Sequence, residues 1–334
     1  MNRLSRGQFL SLLLINDAFS LICIRGSISL KTAAAFLLGT LIQLVFALPL
    51  VRLCGRGIGA DSFGAPVKSV LLIYIIVRGG LLFGTLWETS SAVYIPYESR
   101  GITGKLLIAA LIAAVCIYIA FLGYKALARS ALITAAAGAV CIAVMLIIAL
   151  LGHPLSSITL SHSNGTFLSE TARGLALSGE TGCFTLMISC VRGRPLRNTV
   201  AYFTGKLVLS LAVITASLLA AGGIMEISDF PVLTAARLIQ PFSSQRTDAL
   251  FLIVFSCFAV FALSLHTVLG GELLYSILPV FKKYRHLTIS VLMTAAAVTV
   301  YRIPVMFTAA ASLLILLVIP TAHIFRKSSC RTQR

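Results

Sequence analysis

"LSGETGCF", residues 177–184, sets one carboxylate, Glu180, between Gly179 and Gly182, with Ser178 and Thr181 beside it, inside a long apolar run. An ionisable group near the centre of a membrane span costs about 2.5–3.5 kcal/mol on insertion scales. It therefore turns toward a cavity or a partner. Each flanking glycine lowers helix propensity by about 1 kcal/mol relative to alanine. Unwinding at this point frees backbone N–H and C=O groups, which membrane depth tolerates only where protein or a water-filled cavity surrounds them. The stretch predicts a discontinuous membrane helix.

The rest of the chain supports a membrane setting. Of its 334 residues, 58% are hydrophobic and only 11% charged, with a mean hydropathy of +1.00. A soluble domain averages about 25% charged residues, so this chain cannot cover itself with polar surface. Apolar runs predict ten spans, near 5–25, 29–51, 68–94, 105–122, 129–151, 167–191, 200–224, 247–278, 286–302 and 303–325. Runs of about 18 apolar residues or more are long enough to cross a bilayer. The last two spans meet at a tight turn around Tyr301-Arg302-Ile303-Pro304. The first run carries Asn16 and Asp17 in its middle and no convincing cleavage site, so it is expected to be a retained span rather than a signal peptide.

The net charge of +17 reports topology rather than nucleic acid, since no clustered basic and aromatic face appears. With both termini in the cytoplasm, 18 of the 27 Lys and Arg fall inside and 7 outside, Lys206 being counted inside and Arg78 and Arg173 lying within spans. Cytoplasmic loops collect such residues. A short helix over the outer face is expected near 229–241, opened by Ser228, Asp229 and Pro231 as helix-start residues. The eight cysteines are scattered without ligand spacing, which predicts neither disulfides nor a metal site. No nucleophile–base pair stands at chemical spacing and no cofactor is expected. An enzyme is the weakest reading.

The first span has a feature like that of the sixth. Asn16, Asp17 and Ser20 interrupt its centre, and spans one and six would each open a five-helix half. Polar interruptions at matching places in two inverted halves point to a transporter-type binding site, where half-helix ends face the ligand. The expected pocket is therefore bordered by Asn16, Asp17, Ser20, Ser178, Gly179, Glu180, Thr181 and Gly182. Alternatively, Asp17 and Glu180 each pair with an Arg or a backbone group and only hold helices together. Arg78, in span three, either clamps a ligand carboxylate or neutralises one of these acids. Gly80 and Gly84 form a GxxxG that permits close helix packing. Glu88 is expected to snorkel and Glu170 and Arg173 to pair locally, while His266 and Glu272, toward the inner end of span eight, either belong to an inner gate or proton path or merely face water.

Four stretches resemble the spore germination permease family, the B subunits of germinant receptors. They are "LSRGQFLSLLL" (4–14), "GYKALARSA" (123–131), "SGETGCFTLMISCVRGRPLRNTV" (178–200) and "FPVLTAARLIQPFSSQRTDALFLIVF" (230–255). The resemblance implies an all-α integral membrane fold of the amino acid/polyamine/organocation superfamily. That fold has two inverted five-helix repeats, LeuT-like, with helices 1 and 6 discontinuous. It also implies a multi-pass subunit in a bacterial cytoplasmic or spore inner membrane. Such a subunit senses a small germinant, often an amino acid, beside a larger A subunit and a lipoprotein C subunit. An ion-coupled amino acid permease, with Glu180 or Asp17 carrying a proton, is the alternative. Relatives usually carry glycines in the first-span break, as in I-G-x-G; here the aligned stretch reads Ala18-Phe19-Ser20-Leu21.

Overall fold

A computed structural model describes residues 4–55, 63–93, 102–152, 166–177, 179–222, 228–239, 247–300 and 304–332. They form twelve α-helices: α1 (Arg6–Ile22), α2 (Leu30–Gly55), α3 (Ala65–Val93), α4 (Ile102–Leu122), α5 (Tyr124–Gly152), α6 (Phe167–Leu177), α7 (Thr181–Ile188), α8 (Pro195–Ala221), α9 (Pro231–Leu238), α10 (Thr247–Ile277), α11 (Arg285–Val300) and α12 (Val305–Thr332). With α6 and α7 taken as one broken span and α9 set aside as too short to cross, ten spans remain. Their limits follow the apolar runs closely, and α11 and α12 are separate helices. Five helices are long and apolar enough to cross a membrane by length and composition alone among the described residues, α2, α3, α5, α8 and α10.

Which helices meet lipid follows from which residues stay exposed. Ile133, Val140, Ile147 and Leu151 form an exposed apolar stripe on α5, at spacings that keep them on one helix face. In contrast, every residue from Ile15 to Ile22 in α1, and every residue of α7, is buried. α1 packs against α5, α8 and α10, whereas α6 lies against α2 and α12. The two polar-interrupted spans are thus interior helices.

Ser5 and Gln8 start α1 with a capping box: Gln8 N–H donates to Ser5 Oγ at 3.3 Å, and Ser5 N–H donates to Gln8 Oε1 at 3.1 Å. The Ser-x-x-Gln of "LSRGQFLSLLL" (4–14) therefore has a physical role, satisfying two orphan donors. Just ahead of it, Leu4 N–H donates to Cys190 C=O at 2.9 Å and Arg192 N–H donates to Leu4 C=O at 3.0 Å. This short parallel pairing joins the start of α1 to the chain leaving α7.

The expected break in the first span is absent. α1 runs unbroken through Asn16, Asp17 and Ser20 and stops at Ile22; the chain then continues without helix to α2. The reason is local. No glycine occurs between Gly7 and Gly26, and polar side chains alone do not remove a main-chain hydrogen bond. The change of direction falls instead at Gly26, whose φ of +76° suits a residue without Cβ. Arg173 on α6 fixes this segment by donating to Ser27 C=O at 2.9 Å and Gly26 C=O at 3.2 Å. Its neighbour Glu170 accepts from Thr32 Oγ1 at 3.1 Å. The local Glu170–Arg173 pair, at 3.4 Å, is thus part of a clasp on the end of α1.

Gly80 of the GxxxG meets α11. A Cβ there would lie 2.6 Å from the Cβ of Ala296 and 3.0 Å from the backbone of Ala296 and Ala297. Backbone cannot swing aside, and overpacking of this kind costs about 1–3 kcal/mol. Gly80→Ala is expected to lower the thermal unfolding temperature in detergent, and Gly80→Leu to lower it further. Unchanged unfolding of both variants would contradict so close an approach.

Candidate functional site

The break between α6 and α7 leaves carbonyl groups at the end of α6 without intrahelical partners. Side chains from other spans take them. Gln43 of α2 donates to Leu175 C=O at 3.3 Å. Arg78 of α3 donates to Ala176 C=O at 3.0 Å and to Leu177 C=O at 2.8 Å. Tyr74, one turn before Arg78, donates to Gly179 C=O at 2.5 Å and lies 3.1 Å from Thr181 Oγ1. The cationic guanidinium at a helix C-terminus also opposes the negative end of the helix dipole.

Arg78 is saturated. Besides the two carbonyls, its Nε and Nη2 donate to Glu180 Oε1 at 3.2 and 3.1 Å, and Nη2 donates to Ser20 Oγ on α1 at 3.1 Å. Of the readings open for Arg78, the ion pair with Glu180 is the one observed. Gly179 and Gly182 border the same place: added Cβ atoms would lie 3.3 Å from the Arg78 guanidinium and 2.7 Å from the Tyr74 ring. Ser20, Arg78, Gly179, Glu180, Thr181 and Gly182 are therefore brought together. Ser178 lies outside the described residues.

Asp17 belongs to a second, adjoining network. Its Oδ2 accepts from Tyr202 Oη at 2.7 Å, and its Oδ1 stands 3.7 Å from Lys206 Nζ. Lys206 donates to Gln43 Oε1 at 2.7 Å, and its ammonium lies 5.6 Å from the ring centres of Tyr202 and Phe203. Lys206, counted above among cytoplasmic loop cations, is instead a buried residue inside α8. Gln43 joins the two networks, accepting from Lys206 and donating to the end of α6. Asn16 is buried completely, yet neither its Nδ2 nor its Oδ1 has a hydrogen-bond partner.

Other expectations are corrected by the same coordinates. His266 does not face water: it is buried, with Nε2 3.4 Å from Glu180, while Glu272 pairs with Arg285 at 3.1 Å. Glu88 pairs with Arg25 rather than only reaching for the interface. The carboxylates of Asp17 and Glu180 do not stand free in a solvated chamber but are buried in ion pairs. A neighbouring cavity of about 330 Å³ touches α1 at Leu14, Ile15 and Ala18, but its lining is wholly apolar.

Sequence reasoning did not single out Gln43, Tyr74, Cys183, Tyr202 or Lys206. A signal existed for two of them. Tyr202 and Lys206 are four residues apart in an apolar run, so they share a helix face.

Ten spans with a broken sixth and no strand among the described helices define a multi-pass membrane protein of the LeuT-like class. Two solved structures are similar in fold. Mhp1 in an inward-facing conformation matches with a TM-score of 0.63 and 13% identity, over 95% of this chain and 77% of that one. Mhp1 in a closed conformation with bromovinylhydantoin bound, described as a nucleobase-cation-symport-1 family transporter, matches with a TM-score of 0.61 and 13% identity, over 93% and 76%. At this identity the likeness is one of fold alone. No family model and no curated protein matches the sequence.

Proposed function

We propose that this chain is the small-molecule-sensing membrane subunit of a spore germinant receptor, binding an amino acid-like ligand between α1 and the α6–α7 break. The observation that carries the reading is a set of opposite charges buried at the α6–α7 break and beside it on α1: Arg78 with Glu180, and Lys206 with Asp17. A zwitterion matches them. Its carboxylate competes with Glu180 for Arg78, and its ammonium competes with Lys206 for Asp17. Asn16 supplies a donor and an acceptor with no other claim on them, and buried polar groups are ordinarily hydrogen-bonded. Asn16, Asp17, Ser20, Arg78 and residues 178–182 form the proposed pocket. The ion pairs hold the unliganded state closed. A ligand shifts that state only by binding another conformation better, and this is what a sensor requires. In this reading the partners are the receptor's A and C subunits and the setting is the spore inner membrane.

The test is ligand-dependent thermal stabilisation of purified protein across amino acids, nucleosides and sugars, repeated on Glu180→Gln. Stabilisation by an amino acid, altered in the variant, is the expected result. The reading fails if no ligand stabilises the wild type, and Glu180 has no part in recognition if the variant responds identically.

An ion-coupled amino acid permease is the second reading, favoured by the fold it shares with a transporter and by the His266–Glu180 contact, a place for a proton. Uptake of radiolabelled amino acid into proteoliposomes separates the two. Concentrative uptake supports the permease, and ligand binding without uptake supports the sensor.

A further inference from the structure

We propose that Glu180, Cys183 and His266 form a binding site for one divalent d-block cation, with zinc the ion best matched to their carboxylate, thiolate and imidazole. Their ligating atoms lie within 4.8 Å of one another. His266 Nε2 is 3.4 Å from Glu180 Oε2 and 3.6 Å from Cys183 Sγ. Metal–ligand bonds of about 2.0–2.3 Å in a tetrahedron place ligand atoms roughly 3.3–3.8 Å apart. Glu180 and Cys183 are three residues apart at the start of α7, hence on one face, and His266 reaches them from α10.

A second observation points to a ligand. Glu180 is 1% exposed, and its Oε2 has no hydrogen-bond partner. His266 Nδ1 lies 2.8 Å from Ala262 C=O. A carbonyl oxygen only accepts, so Nδ1 carries the hydrogen, and in the neutral ring Nε2 turns a lone pair toward Oε2. Two acceptors face each other with the Cys183 thiol as the donor beside them, 3.6 Å from His266 Nε2, and a cation that displaces the thiol proton takes its place. The outer contacts suit this. Arg78 holds Glu180 by Oε1, leaving Oε2 to the ion, and Ala262 fixes the imidazole. Metal-ligating His side chains almost always have such a partner on the other nitrogen. Binding displaces the Cys183 thiol proton to solvent, so carboxylate and thiolate oppose the two charges of the ion. A fourth position stays open to water or to a ligand donor. The site stands whether or not the proposed germinant pocket does.

Cobalt(II) is the probe. Purified full-length protein, stripped with chelator, is titrated with cobalt and then with zinc. The expected result is about one ion per chain, a thiolate-to-cobalt charge-transfer absorption, and loss of that absorption as zinc replaces cobalt. Cys183→Ser abolishes the absorption, and Cys190→Ser retains it. His266→Gln weakens binding roughly tenfold or more, and zinc raises the unfolding temperature of wild type but not of this variant. The proposal is overturned if wild type takes up no cobalt or takes it up without charge transfer, a titration that needs no variant to fold. It is equally overturned if the absorption survives Cys183→Ser.

Discussion

Arg78→Met is expected to destabilise the protein by about 3–5 kcal/mol, the usual loss when one partner of a buried ion pair is removed. The cost has two sources. Glu180 loses the guanidinium that holds its Oε1 in a buried setting, and the carbonyls of Ala176 and Leu177 lose their donors. The double variant Arg78→Met/Glu180→Gln is expected to recover only the first part, because the carbonyls stay bare. Arg78→Lys falls between wild type and Arg78→Met. An ammonium is a compact point charge and cannot cover Glu180, Ser20 and two carbonyls with the planar fork of a guanidinium. Thermal unfolding in detergent, with limited proteolysis at the α6–α7 break, reads both effects. If Arg78→Met unfolds like wild type and the break resists protease, Arg78 does not stabilise it.

Lys206→Met should cost a similar amount, about 3–5 kcal/mol, by leaving Asp17 with Tyr202 alone. Tyr202→Phe should cost less, about 1.5–3 kcal/mol, the range for a hydrogen bond to a charged group. The cycle of Asp17→Asn and Lys206→Met is the sharper measurement, since residues in one ion-pair network couple by about 0.5–3 kcal/mol. Additive losses across the cycle would mean that the 3.7 Å separation is contact without coupling.

The sixth-span break was legible because charge and backbone freedom coincided: Glu180 with Gly179 and Gly182 has no easy place in an intact lipid-facing helix. Arg78 was legible as its counter-ion for a similar reason, being one of only two Arg or Lys placed within spans. A break was expected in the first span because polarity was read as a sign of unwinding. Asp17 and Ser20 make their hydrogen bonds sideways, to Tyr202 and Arg78, and the helix continues beneath them. Lys206 falls within the predicted seventh span, 200–224, but was counted with the cytoplasmic cations of the basic stretch before it, "RGRPLRN". The meeting of Cys183 with His266 joins positions 83 residues apart in the chain, and no local spacing encodes it. Span limits come from hydropathy; which faces meet is decided by tertiary packing.

Two main-chain hydrogen bonds, from Leu4 to Cys190 and from Arg192 to Leu4, also have a mechanical meaning. They yoke the entrance of the first helix to the exit of the seventh, so neither can tilt far without dragging the other. A displacement of Leu4 would therefore be felt at Cys190 and Arg192, beyond the end of α7, and a displacement there would be felt at the start of α1.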